Sequence, residues 1–154
     1  MSAEPNFDIQ EAHQYFSAYC FNQTWDYIDK DGNRSIEESM SMLHTAIASL
    51  WHWSQRGDVT PQNLSVGYWQ VSRVYCLLKQ PHNARMYGLL ALKYARDLSP
   101  FHRGYAYETL ARAEMIINNR VIMTTHLERA REMLEQVEDE EDRQLLANDL
   151  KTIR

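Results

Sequence analysis

Five glycines and four prolines in 154 residues leave this chain short of backbone breakers. A β-rich fold needs many tight turns, so their scarcity, with nine Tyr, four Trp and many long side chains, favours helices. Two cysteines, Cys20 and Cys76, are too few for a disulfide scaffold and lie far apart. Each sits inside a helical pattern, and the expectation is two buried thiols in a reducing cytoplasm, a bridge between them being the alternative. No apolar run approaches the roughly 18 residues of a membrane span, and no apolar stretch follows a basic start, so neither membrane insertion nor secretion is expected. Sixteen Lys and Arg against 21 Asp and Glu give a formal charge of −5, the wrong balance for a nucleic-acid surface. Catalytic motifs are missing too. There is no His-Glu-x-x-His, no Gly-rich phosphate loop, no Gly-x-Ser-x-Gly elbow and no paired Glu-x-x-His of a di-iron bundle. No cofactor is expected.

What remains is a single domain of ordinary apolar and charged content whose apolar residues recur at helical spacing. After a polar lead-in over residues 1–8, the first helix runs from Ile9 to Ile28 and is aromatic on several sides. The second runs from Ile36 to about Gln55, with Ile36, Met40, Leu43, Ile47 and Leu50 as the expected core stripe, and Gly57 suits a left-handed helix end. Thr60-Pro61 and Ser99-Pro100 each read as a cap followed by a proline at the first helical position. They open helices three and five. The stripe of helix three is Leu64, Tyr68, Val71, Tyr75 and Leu78. Helix four, after Gln80-Pro81, has a stripe of small residues: Ala84, Gly88, Ala91 and Ala95. Such residues let two helix backbones approach closely. Helix six, after Asn118-Asn119, carries Met123, Leu127, Ala130, Leu134 and Val137. Helix seven follows the acidic run at 138–142 and has Leu146, Leu150 and Ile153 on one face, as a capping helix should.

Between helices one and two, Asp29, Asp31, Asn33 and Ser35 fall at positions 1, 3, 5 and 7 of an EF-hand-type calcium loop. Arg34 stands where that loop needs glycine, and Met40 where it needs the bidentate glutamate. The same residues make a turn at Asp31-Gly32 and a capping box from Ser35 to Glu38, and this reading displaces the metal site.

The chain also repeats itself. Tyr68, Val71, Ser72, Tyr75, Ala84, Gly88 and Ala91, each moved by 39 positions, become Tyr107, Leu110, Ala111, Glu114, Met123, Leu127 and Ala130. Six of the seven pairs match in character, and only Tyr75/Glu114 does not. The spacing inside the unit resembles the tetratricopeptide repeat, whose usual period is about 34 residues. The extra residues fall between units, around 97–104. The resemblance implies an all-α, tetratricopeptide-like superhelix of about seven helices, with hairpins at 9–56, 60–97 and 100–137 and a capping helix at 139–153. It also implies a non-enzymatic module that takes a protein or peptide segment on its concave face, with Trp69, Arg73, Tyr107 and Arg112 in the groove.

The densest local chemistry is Trp51-His52-Trp53 at the end of helix two, with Asn63, Trp69 and Arg73 following on helix three. Indoles beside a guanidinium can stack on a ligand or grip a carboxylate, or they can fill core between hairpins. A second expectation is therefore a small-molecule pocket between helices two and three. There His44 or His52 would titrate, Trp53 and Trp69 would form walls and Arg73 would anchor an anion. The stretch through His44, Ala48, His52-Trp53, Gly57, Asn63, Trp69 and Ser72-Arg73-Val74-Tyr75 resembles a group of small uncharacterised bacterial proteins described as tetratricopeptide-like. That resemblance implies a bacterial cytoplasmic setting and no particular activity. A third expectation is a homodimer through helices one and two, because three hairpins are near the lower limit for a stable stack and aromatic helix one needs covering.

Overall fold

A computed structural model describes residues 4–30 and 32–154, and these hold seven α-helices and no strand. The helices are α1 (Ile9–Ile28), α2 (Ile36–Gln55), α3 (Pro61–Leu77), α4 (Pro81–Ala95), α5 (Pro100–Ile116), α6 (Arg120–Leu134) and α7 (Glu140–Lys151). The fold is all-α, as the paucity of breakers predicts. None of the described helices is long and apolar enough to cross a membrane. Asp31 of the considered calcium loop lies outside the described residues. Around it, Ser35 and Glu38 form the expected capping box at the start of α2, and Arg34 donates to the Tyr27 carbonyl at 3.0 Å.

The chain forms two compact units, Met1–Thr60 and Pro61–Arg154. In the first, α1 and α2 pack as an antiparallel hairpin, with Gln10 reaching Gln55, Ser17 reaching Ser49 and Thr24 reaching Thr45. Small polar side chains line this contact. The Ser49 hydroxyl donates to the Ser17 carbonyl at 2.7 Å, and the Thr24 hydroxyl bonds Thr45 at 2.9 Å. The observed buried stripe of α2 is Met42, Leu43, Ala46, Ser49 and Leu50. Of the expected stripe only Leu43 and Leu50 are buried, and Ile36 is 79 % exposed. Apolar spacing misled here because α1 meets α2 along hydroxyls and small residues, which leaves larger apolar side chains outside. Gly57 likewise lacks a left-handed backbone. The chain leaves α2 extended at Arg56, and the Gly57 amide donates to Gln10 Oε1.

The second unit is two hairpins, α3/α4 and α5/α6, with α7 packed on α5 and α6. Pairing of Ser65 with Ala91 and of Ser72 with Ala84 makes the first hairpin antiparallel. Helix α5 lies alongside α3 in the same direction, because Trp69 meets Glu108 and Ser72 meets Thr109. These partners are 39 and 37 residues apart, so the period in sequence is a spacing in space. Both hairpin turns follow one design. Lys79 (φ 58°) and Asn118 (φ 55°) take the left-handed conformation, and the next amide bonds back to Tyr75 and Glu114 respectively. That is a Schellman ending, repeated after 39 residues. The small stripe of α4 is buried as expected, and Gly88 shows why: a Cβ there would stand 2.9 Å from Leu110 of α5. Glu114, the mismatched member of the repeat, is buried and held by Arg85 at 2.7 Å and Asn119 at 2.9 Å.

Candidate functional site

Helix α5 is buried along most of its length, and its buried residues include the charged side chains Glu108, Arg112 and Glu114. One turn apart, Glu108 and Arg112 form an i,i+4 ion pair in which Arg112 Nε donates to Glu108 Oε1. Charge this deep persists only where it is paired and hydrogen-bonded. The other carboxylate oxygen of Glu108, a residue 1 % exposed, accepts the indole N–H of Trp69 at 3.1 Å. Arg112 also donates through Nη2 to α7 and its end, reaching the Asp149 carbonyl at 3.0 Å and the Thr152 hydroxyl at 2.7 Å. Tyr105 donates to the Asp149 carboxylate at 2.7 Å and sets its ring edge against Trp69 at 5.3 Å. Helices α3, α5 and α7 are thus tied together by one polar network.

Arg73 stands at the open side of this network. Its guanidinium is 3.9 Å from Glu108 Oε1, beyond a hydrogen bond, and its side chain keeps 23 % of its exposure. Burial, and then the charge of Arg112, push its pKa below the usual arginine value. The cluster holds two guanidiniums, of Arg73 and Arg112, and two carboxylates, of Glu108 and Asp149. Cys76, one turn further along α3, is buried, and desolvation together with the Glu108 charge lifts its thiol to about 12. It is a packed thiol, not a nucleophile.

The first unit carries a different cluster. His13 and His52 approach Nδ1 to Nδ1 at 2.8 Å, so one ring donates and the other accepts. Burial and then the charge of His13 lower the pKa of His52. Phe16 and Trp51 flank the pair, their rings 5.4 Å from His52 and 5.3 Å from His13 respectively. Trp53 lies under the Arg56 guanidinium at 4.0 Å, and that guanidinium grips Asp58 through two bonds and reaches the Ser17 hydroxyl. His44 is exposed.

The sequence candidates therefore divide. His44, His52 and Trp53 belong to the first unit; Asn63, Trp69, Arg73, Tyr107 and Arg112 belong to the second. Trp69, Arg73 and Arg112 come together around Glu108, and the two arginines are 39 residues apart, like Trp69 and Glu108. Tyr107 turns instead toward α6, its ring 6.3 Å from His126. Glu108, Asp149 and His13 do not stand out in the sequence. The i,i+4 spacing of Glu108 and Arg112 could have flagged the first; nothing local marks the other two. Comparison of the chain with protein families, with curated proteins and with solved structures gives no match.

Proposed function

We propose that the chain is a non-enzymatic, tetratricopeptide-like module that binds a protein or peptide segment along α3, α5 and α7, with Arg73 holding a carboxylate of the bound segment. The carrying observation is the half-open guanidinium of Arg73 at the edge of the Glu108 network. Arg112 and Trp69 each bond one oxygen of Glu108, while the half-open Arg73 stands 3.9 Å away, in ion-pair range but beyond a hydrogen bond. A planar guanidinium with free donors is suited to a carboxylate, and Trp69 beside it offers an apolar wall. The raised thiol of Cys76 gives no support to covalent catalysis. The reading includes a bacterial, reducing cytoplasm, with which the free thiols of Cys20 and Cys76 agree.

The test is an array of short peptides, with and without Asp, Glu or a free C-terminal carboxylate, probed with wild type and Arg73→Gln. Carboxylate-bearing peptides should be retained by wild type and weakened by about ten- to a hundredfold in the variant, the range for a charge-assisted bond. Equal retention by both proteins, or retention blind to the carboxylate, overturns the proposal.

A further inference from the structure

We infer that His13 and His52 form an acid-operated latch on the α1/α2 hairpin: they share one proton across the helix contact, and in mild acid the pair opens at the end away from the connecting loop. The two Nδ1 atoms stand 2.8 Å apart, one on each helix, so a single proton lies between them. His13 is 9 % exposed and His52 is half-buried. Among the described residues no other hydrogen bond or ion pair reaches either ring. Aromatic rings flank the pair instead, Trp51 at 5.3 Å from His13 and 4.9 Å from His52, and Phe16 at 5.4 Å from His52. The charged and titratable groups nearby are otherwise engaged or face solvent. On α1, Asp8 caps the helix start and Glu11 is exposed; on α2, His44 is exposed two turns back. Beyond α2, Arg56 and Asp58 bond one another, and Arg56 also reaches the Ser17 hydroxyl one turn from His13. No carboxylate is bonded to the pair to hold two positive charges there.

The geometry makes the two protonations unlike. A first added proton goes to Nε2 of the donating ring and leaves the shared bond in place. A second can go only to the accepting Nδ1. There it would set two N–H groups against each other at 2.8 Å and two imidazolium rings 5.0 Å apart. The pair therefore titrates in two steps that belong to both rings together. Burial and the His13 charge, which hold His52 below its ordinary value, set the second step on the acid side. What acid breaks is only one end of the hairpin. Toward the connecting loop, the Ser17–Ser49 and Thr24–Thr45 bonds contain no titratable group. On the other side of the pair, the exposed Gln10 side chain ties the start of α1 to the Gln55 carbonyl and the Gly57 amide. Exposed bonds of that kind hold little on their own. Parting of the two rings thus releases the first turns of α1 and the last turn of α2, with the Thr24–Thr45 end still closed.

Imidazole nitrogen NMR shifts of wild type, followed from about pH 8 to about pH 4, test the sharing, and hydrogen–deuterium exchange over the same range tests the opening. The two rings should titrate in two separated steps, with the accepting Nδ1 changing only in the lower one. After correction for the intrinsic rate, exchange within 9–17 and 49–55 should rise by up to about tenfold per pH unit for each extra proton that the opened pair holds. Amides around Thr24 and Thr45 should lack that rise. In His52→Gln, His13 should titrate in one step and the extra exchange should fall away; His13→Gln should do the same for His52. A single midpoint common to both rings overturns the inference. So does exchange that rises equally along both helices, or a rise that persists in both variants. The wild-type shifts and exchange map decide the matter even where a variant fails to fold.

Discussion

Lys79 and Asn118, 39 residues apart, share one left-handed backbone conformation and end α3 and α5 with the same pair of hydrogen bonds. A side chain in that conformation is strained, and asparagine tolerates it better than lysine does. Lys79→Gly should therefore stabilise the protein by about 0.5–1 kcal/mol, the relief being partly offset by the freer unfolded chain. Asn118→Gly should gain less. Thermal unfolding of the two variants beside wild type reads the order directly; a Lys79→Gly protein that melts lower contradicts the turn geometry.

Glu108 is the single buried carboxylate bonded to both Arg112 and Trp69. Glu108→Gln leaves Arg112 charged and buried without its counter-ion, which costs about 3–5 kcal/mol in comparable pairs. Replacing both residues, Glu108→Gln with Arg112→Met, should cost less than the two single changes added together. Urea denaturation of the four proteins measures this coupling. Strict additivity would show that the pair is not energetically linked.

Gly88 reports the tightness of the α4/α5 contact. A methyl group there would stand 2.9 Å from Leu110 Cδ2 and 3.3 Å from Thr109 Cγ2, and both neighbours are buried. Alanine normally favours a helix by about 1 kcal/mol over glycine, whereas overpacking a tight core costs about 1–3 kcal/mol. Gly88→Ala should thus be net destabilising by about 1 kcal/mol. Gly57→Ala, whose added methyl would meet only Gln10 Oε1 at 3.8 Å, should show no such loss. Denaturant midpoints distinguish the two, and a stabilised Gly88→Ala protein would refute the close approach.

The histidine pair makes stability depend on mild acid. Burial and the His13 charge hold the folded pKa of His52 below its ordinary 6.5, and burial does the same for His102 and His126. Below 6.5 the unfolded chain then binds more protons than the folded one, so stability is lost as pH falls from 6.5 through the folded values. His52→Gln should flatten part of that slope, because glutamine does not titrate. Unfolding free energies measured between pH 7.5 and 5 would test it; a wild-type stability that rises on acidification would reverse the assignment.

Much of the second unit was legible in the sequence, and less of the first. The stripes Ala84–Ala95 and Leu146–Ile153 are buried as their spacing implies, because small or apolar residues at those positions have no other use. The α2 stripe failed at Ile36, Met40 and Ile47 because Thr45 and Ser49 make the contact with α1 through hydroxyls, on the Thr24 hydroxyl and the Ser17 carbonyl, and hydropathy counts such residues as surface. For the site, Trp69, Arg73 and Arg112 were visible as unusual residues at matching positions. Their organiser, Glu108, was not, since a glutamate on a helix reads as solvent-facing until the helix is found to be enclosed. His13 was hidden for a related reason: its partner lies 39 residues away on another helix.

The enclosed position of Glu108 also constrains how the molecule can come apart. In an array of helical repeats held by apolar stripes alone, an end can fray while the middle stays folded. Here α3 supplies the Trp69 indole, α5 the carboxylate and its arginine, and α7 with the residue after it the groups that receive that arginine. Detaching either flank exposes a charge cluster whose bonds were made across the break. The second unit should consequently lose its helices together, as one cooperative block, with no half-melted form in which α7 has peeled away.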